Sequence, residues 1–546
     1  MPDPVEPLAA TARPPYMELD AVVVGAGFSG LYMLHRLRQL GLSARVYEAG
    51  SGIGGTWFWN RYPGARCDIE SMDYSYSFSE ELEQDWEWTE KFPTQPEILR
   101  YIEHVADRFD LRRDIQLETR VTQASFDETT RRWQVRTDGG DTVSVQFCIM
   151  AVGCLSVRKQ PEIRGLETFR GTWYHTGHWP HESVSFNGQE VGVIGTGSSG
   201  IQSIPVIAKE AAQLTVFQRT PNFSLPARNE PLDPEVQRAM KVDYPGYRRR
   251  ARRSRGGVPA EQPTQSALAV DDDERLESYQ TAWERGSLFA LGASYTDLLT
   301  NRAANDTAAE FIRSKIREAV DDPDIAEMLA PTDHPFGSKR PCLDSGYYAT
   351  YNRDNVRLID LRKTPIVEVT PAGIRTTERE HELDSLVFAT GFDAMTGPLL
   401  AVDIRGTGGR PLREKWARGP RSYLGIGIAG FPNLFTLTGP GSPSVLTNMM
   451  VSIEQHVEWV VDCIAFVQSQ GFASIEATVE AEDAWVRHVH DLAAATLMPT
   501  AGSWYMGANV PGKPRVFMPY IGGADVYRKR CDEIAANRYE GFLLNV

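Results

Sequence analysis

Apolar and polar positions along this chain fall into two periods. An apolar run starts at Leu19, passes through Val22-Val23-Val24 and ends at Gly25; helical spacing follows, and a second short apolar run closes at Glu48. Up to about Gly55 the pattern predicts strand, glycine turn, helix and strand. Residues 56–80, rich in Trp, Tyr and Gly, read as ordered loop. From Glu97 to Phe109, the spacing of Ile98, Ile102, Val105 and Phe109 predicts a helix with one apolar face. Short alternating runs at Gln134-Val135-Arg136 and Val143-Ser144-Val145 predict a small antiparallel insertion between Gln116 and Met150.

A second strand–glycine–helix–strand unit spans Glu190 to Thr220. Charged helical segments then dominate residues 227–335, which read as a helical insertion. Strand character returns at Val356–Ile359 and Leu386–Phe388, and a helix is expected over Ser452–Gln468 among Gly/Pro-rich loops. The fold class expected is α/β, with two Rossmann-like dinucleotide-binding domains. The division expected is a disordered arm (1–16), a first domain in two parts (17–154 and 391–546), a second nested in it (155–226 and 336–390), and the helical insertion (227–335).

Composition narrows the classes. The 546 residues suggest about three to four domains of ~150 residues. Lys+Arg total 57 and Asp+Glu 72, a net charge of −15, which argues against a nucleic-acid binder or an anionic-membrane binder. The basic cluster Arg248–Arg255 reads as a solvated face. Six scattered cysteines, none in CxxC spacing, signal no zinc site or dithiol and fit a reducing cytosol. No metal is expected. The N-terminus lacks the basic start and apolar core of a signal peptide, and no uninterrupted apolar stretch reaches ~18 residues. A soluble, cytoplasmic, monomeric protein is the expectation.

The chemistry starts at two GxGxxG turns, Gly25-Ala26-Gly27-Phe28-Ser29-Gly30 and Gly195-Thr196-Gly197-Ser198-Ser199-Gly200. The first glycine allows the tight turn, the second lets the backbone approach a pyrophosphate, and the third lets helix and strand pack closely. The helix N-terminus then presents amide N–H groups to the phosphates. The second strands differ. Glu48 ends one and suits the free ribose hydroxyl of FAD; Gln218 ends the other, removing the carboxylate, and Arg219 suits the 2′-phosphate of NADP. FAD beside NADPH implies hydride transfer to a flavin. A disulfide reductase would need a cysteine pair at the flavin, so electron transferase and oxygenase remain open.

Between the units, Phe169-Arg170-Gly171-Thr172-Trp173-Tyr174-His175-Thr176-Gly177-His178-Trp179-Pro180 fits FxGxxxHxxxWP. This resembles the fingerprint of the Baeyer–Villiger monooxygenases, carried by Phe169, Gly171, His175, Trp179 and Pro180. The likeness runs nearly the whole length and is strongest to aryl-ketone and steroid members. It implies that NADPH reduces FAD, dioxygen adds to the flavin as a C4a-peroxide, and a ketone becomes an ester or lactone, with sulfides as a side substrate. By the same resemblance, Gly55, Thr56, Trp57, Asp68, Tyr74 and Val121 line FAD; Thr220, Lys339, Arg340 and Trp504 face NADP; and Ser444, Val445, Leu446 and Met449 line the substrate pocket. Arg340 is expected to stabilise the oxyanion. Asp68 is expected to steer it, ionised, and His175 to orient the domains. Trp57 and Trp504 read equally as core aromatics. A heteroatom monooxygenase of the same architecture, or a non-oxygenating flavin redox protein, stays as an alternative.

Overall fold

The computed structural model describes residues 17–546, so the expected arm, 1–16, lies outside the described residues. Two sheets organise the chain. In the larger, eight-stranded sheet the order is Asp403–Arg405, Val121–Asp127, Arg132–Thr137, Thr142–Met150, Met17–Val24, Ala44–Tyr47 and Ile115–Gln116. The eighth strand, Leu434–Thr436, pairs in parallel with Cys148–Met150, while the front half of the same strand pairs antiparallel with Trp133–Arg136. The expected antiparallel insertion is therefore not a separate unit. Its long strand Thr142–Met150 lies parallel to Met17–Val24 and carries the hairpin into the main sheet. Trp133, Val135, Val145 and Phe147 all face buried positions, and that burial is what binds the hairpin in.

The smaller sheet is wholly parallel, in the order Val356–Asp360, Gln213–Gln218, Glu190–Ile194, Ser385–Phe388, Thr172–His175. Its central strands are near-continuous apolar runs, as strands covered on both faces must be. The glycine-turn helices, Phe28–Gln39 and Ser198–Glu210, follow the first strand of each parallel unit.

Residues 227–335 form five helices, including Tyr244–Arg252 and Arg302–Ala319. The predicted helices appear as Gln95–Arg108 and Met449–Ser469, with Ile98, Ile102 and Val105 buried as their spacing requires. In the basic cluster Arg249, Arg250, Arg253 and Arg255 are exposed as expected, and Arg248 and Arg252 depart from it. Arg248 is buried and its Nε donates to Glu83 Oε1 at 2.7 Å, and Arg252 lies 3.5 Å from Glu454. Local spacing could not reveal carboxylates supplied from 165 and 202 residues away. No helix among the described residues is long and apolar enough to cross a membrane.

Candidate active site

Each glycine turn is enforced by sterics at its first and third positions. Gly25 has φ +104°, and a Cβ there would meet Ala151 O at 2.7 Å; at Gly30 it would meet Gly25 O at 1.9 Å. Gly195 and Gly200 repeat the arrangement against Ala389 O (2.5 Å) and Gly195 O (2.2 Å). The second glycines behave differently. Gly197 has an ordinary φ of −86°, and a Cβ there would have nothing within 4 Å. Internal packing gives no reason for glycine there; a pyrophosphate approaching the backbone does. No side chain caps either helix at Gly27 or Gly197, so their first-turn amides are free to hold phosphate.

Around the first turn, the buried Glu48 carboxylate accepts from Ala26 N–H and Gly50 N–H, both at 2.8 Å. Held at both oxygens, it keeps lone pairs for a ribose hydroxyl. Thr119 N–H donates to Glu48 O at 2.8 Å, which brings the chain leading to Val121 alongside. Gly55, at φ +54°, lies so close that a Cβ would reach Gly27 Cα at 2.9 Å. It caps the short helix Thr56–Trp59, where Thr56 is exposed. Trp57 is buried, and its Nε1 donates to Tyr74 OH at 3.2 Å. This donor set fits FAD.

Around the second turn, Thr196 Oγ1 donates to Thr220 O at 3.0 Å and ties the turn to the end of the neighbouring strand. Ser198 and Ser199 open the helix while their hydroxyls engage Cys342 Sγ (3.2 Å) and Thr176 Oγ1 (2.9 Å). Gln218 turns inward, its Nε2 donating to Met328 O at 2.7 Å. Arg219 and Lys339 stand together without any ion pair among the described residues. Burial lowers the Lys339 ammonium pKa, Asp333 opposes that, and Arg219 lowers it further. Lys159, which the sequence reading missed, joins them. Burial and then Arg219 lower its pKa, and its backbone N–H donates to Gly391 O at 3.0 Å. Such mutually repelling cations fit a phosphate dianion.

The strand end Ala389-Thr390-Gly391 also meets the fingerprint. His175 is buried; its Nδ1 accepts from Gly177 N–H at 3.0 Å, so the neutral ring directs Nε2–H to Thr390 Oγ1, 3.2 Å away. Burial holds its pKa down at about 4, with Arg158 adding to the effect. Gly171 packs so tightly that a Cβ would strike Asp384 O at 2.1 Å. Trp179 stacks on Tyr174, Phe169 packs beside Gly171 against the apolar cluster of the smaller sheet, and half-buried Pro180 follows. The motif therefore joins the segment 169–180 to Ser385–Thr390 by parallel strand pairing, by packing and by one histidine bridge to Thr390.

Arg340 and Asp68 come together as expected, Nη2 to Oδ2 at 3.7 Å. Arg340 Nη1 donates to Val445 O at 3.0 Å, and Asn222 Nδ2 holds the Arg340 carbonyl at 2.9 Å. Burial works against the Arg340 charge, but Asp68 and Tyr505 raise its pKa on balance. For Asp68, burial is the larger effect and raises the pKa; Arg340 and Gln202 only partly offset it. Gln202, from the second glycine-turn helix, was also missed. Its Oε1 accepts from Tyr62 OH (2.7 Å), and its Nε2 donates to Arg66 O (3.1 Å) and Asp68 Oδ1 (3.4 Å).

An apolar cluster flanks the arginine. Val445, Leu446 and Met449 pack with Met395, Met498, Tyr505, Met518 and Trp504. Ser444, buried at φ +43°, and Ser503 leave hydroxyls with no partner. An unmet buried hydroxyl costs about 1–3 kcal/mol unless a ligand or water satisfies it. Trp504 is half-buried on Tyr505, ring centroids 4.3 Å apart. Its loop is fastened by Asn509 Nδ2 to Phe392 O (2.7 Å) and Lys513 Nζ to Asp393 Oδ1 (2.5 Å). All six cysteines are buried and free; burial pushes Cys342 up to about 12, far from a reactive thiolate.

Comparison with known proteins points the same way. The pyridine nucleotide-disulphide oxidoreductase family matches residues 22–242. A Baeyer-Villiger monooxygenase from Pseudooceanicola batsensis is 43% identical over 96% of this chain and 95% of its own length. A phenazine N-monooxygenase from Lysobacter antibioticus is 42% identical over 96% and 97%. Among solved structures, an oxidized steroid monooxygenase bound to NADP superimposes with a TM-score of 0.93 at 55% identity, covering 97% of this chain and 99% of that one.

Proposed function

Because the chain belongs to the Baeyer–Villiger monooxygenases, with FAD and NADP as cofactors, we propose a division of labour among its own residues for the oxidation of aryl, bulky or cyclic ketones. The reaction consumes NADPH and dioxygen; bound FAD supplies the activated oxygen that enters beside the ketone carbonyl, giving an ester or lactone.

The observation that carries the reading is a half-buried guanidinium bordered by apolar side chains. Arg340 would offer a fixed positive charge to the oxyanion that develops on the ketone oxygen, in a setting where the apolar side chains around it reduce screening by water. Arginine suits the task because it keeps its proton. Asp68 would hold that charge in register without binding it tightly. Glu48, the Gly27 helix and the Trp57–Tyr74 pair would hold FAD; the Gly197 helix, Arg219, Thr220, Lys159 and Lys339 would hold NADPH, with Trp504 closing over it. Val445, Leu446 and Met449 would face the ketone. His175 would orient the two nucleotide-binding parts, taken as 17–154 with 391–546 and 155–226 with 336–390.

The test is Arg340→Ala, assayed with an aryl ketone. FAD content and NADPH oxidation should persist while ester gives way to hydrogen peroxide; ester at the normal rate would overturn the assignment. A second reading, oxidation of sulfur or nitrogen, is favoured by the phenazine N-monooxygenase relative. An aryl ketone and an aryl sulfide incubated side by side rank the two. We also take the protein as a cytoplasmic monomer. The exposed apolar residues are scattered, as at Leu40, Trp173 and Val242, and the thiols are free. Light scattering would read about 61 kDa for the monomer.

A further inference from the structure

Two loops hold Arg340. One carries Asp68 and the other carries Val445, whose carbonyl accepts the guanidinium. The second loop is strained at Ser444, so something must fix its far end. That end is Asn448, fully buried, which is tied on two sides. Its Nδ2 donates to Asp73 O (2.9 Å), on the same segment as Asp68, and to Gly257 O (3.3 Å); its N–H donates to Gly256 O (2.8 Å). Gly256 and Gly257 belong to the helical insertion.

The insertion grips Asp73 as well. From the helix Tyr244–Arg252, Arg248 Nη1 donates to Asp73 O (3.3 Å) and Nη2 to Ser75 Oγ (2.6 Å), while Nε donates to Glu83 Oε1 (2.7 Å). Tyr247 OH donates to Asp73 Oδ2 at 2.9 Å. The carbonyl of Asp73 thus receives both Asn448 and Arg248. A charge that packing alone would exclude has been buried here at a point where three segments meet.

We infer that the helical insertion positions the catalytic arginine: Arg248 and Tyr247 clamp Asp73, Asp73 fixes Asn448, and Asn448 fixes the loop that presents Val445 O to Arg340. Arg248 is a positioning residue, because it touches neither cofactor nor substrate contacts and acts through Arg340. The inference rests on the role assigned to Arg340 above.

The experiment uses full-length, FAD-loaded protein and measures NADPH consumed, ester formed and hydrogen peroxide released. Arg248→Met is combined with Glu83→Gln so that no carboxylate is left buried alone; Tyr247→Phe is a milder variant that keeps the fold should the first not. Both should retain FAD and oxidise NADPH within about twofold of the parent, yet lower ester per NADPH, by about fivefold and about twofold respectively. In an Arg340→Lys background the same substitutions should lower ester per NADPH no further, because groups acting through one residue are not additive. Normal ester yield in the Arg248/Glu83 variant, or in Tyr247→Phe if the former does not fold, overturns the inference. So does a loss that multiplies fully with Arg340→Lys. If Arg340→Lys alone couples normally, the assignment of Arg340 fails instead.

Discussion

The Asp68 carboxylate and the Arg340 guanidinium stand 3.7 Å apart, inside Coulomb reach but beyond hydrogen-bond length. A tight bidentate pair would fix the arginine in one pose. The looser arrangement leaves the guanidinium hydrogen-bonded to Val445 O and not to Asp68, while Gln202 Nε2 reaches toward the other Asp68 oxygen. Asp68→Asn keeps the volume and removes the charge. It should leave NADPH oxidation nearly intact and lower ester per NADPH by about tenfold, a smaller loss than deleting the cation itself. Since burial raises the Asp68 pKa, ester yield in the parent should rise with pH as this carboxyl ionises, and that limb should vanish in Asp68→Asn. Yield profiles of the two proteins across pH check both points.

The unpaired cations predict cofactor choice. Arg219→Ala should raise KM for NADPH by about 10–100-fold, the worth of one charge-assisted bond, and barely change KM for NADH. Lys159→Ala and Lys339→Ala should act in the same direction, because Arg219 depresses the pKa of both. Steady-state kinetics with both cofactors decide it; equal effects on NADH and NADPH would remove these residues from the 2′-phosphate site.

The glycines of the second turn should separate folding from binding. A Cβ at Gly200 would meet Gly195 O at 2.2 Å, so Gly200→Ala should destabilise the protein by about 1–3 kcal/mol. At Gly197 a Cβ meets nothing, so Gly197→Ala should leave the melting temperature unchanged and weaken NADPH binding. Thermal melts with and without NADP⁺ distinguish the two.

Two buried neutral histidines predict acid lability. Burial lowers His175 to about 4 and His456 to about 3, while Thr438 N–H donates to His456 Nδ1 at 3.0 Å. Their unfolded value is about 6.5, so the unfolded chain takes protons first. Stability is intact above that pH and lost as pH falls toward 4 and 3, at up to about 1.4 kcal/mol per pH unit per histidine. Asp73, raised by burial to about 7, acts oppositely, losing stability as pH rises from about 4 to 7. Urea midpoints from pH 4 to 8 should show a shallower acid limb in His456→Gln than in the parent.

What was legible in the sequence is what local chemistry dictates. Gly25 and Gly195 answer to the turn they occupy, Glu48 follows its strand as the carboxylate that anchors the first turn, and Val22–Val24 are apolar because both faces of their strand are covered. The fingerprint around His175 was legible as a pattern, though its Thr390 partner was not. The rest depends on partners distant in sequence. Arg248 looks like part of a solvated run until Glu83 is placed beside it. Gln202 is an ordinary helix residue until the loop from Tyr62 to Asp68 folds over it, and Lys159 carries no motif at all. The antiparallel hairpin read as an insertion because parallel pairing with Met17–Val24 leaves no trace in the local period.

The pairing of Thr142–Met150 with Leu434–Thr436 also sets a timetable. The five-stranded sheet has all its strands once Phe388 has been made, whereas the eight-stranded one still lacks two. At roughly 5–20 residues per second, the ribosome leaves that first-made strand waiting about 15–60 seconds for its last neighbour. During synthesis the nested sheet can close while the outer one still lacks Asp403–Arg405 and Leu434–Thr436. A nascent chain interrupted before residue 434 would be a compact nucleotide-binding core tethered to an unsealed, aggregation-prone half-sheet.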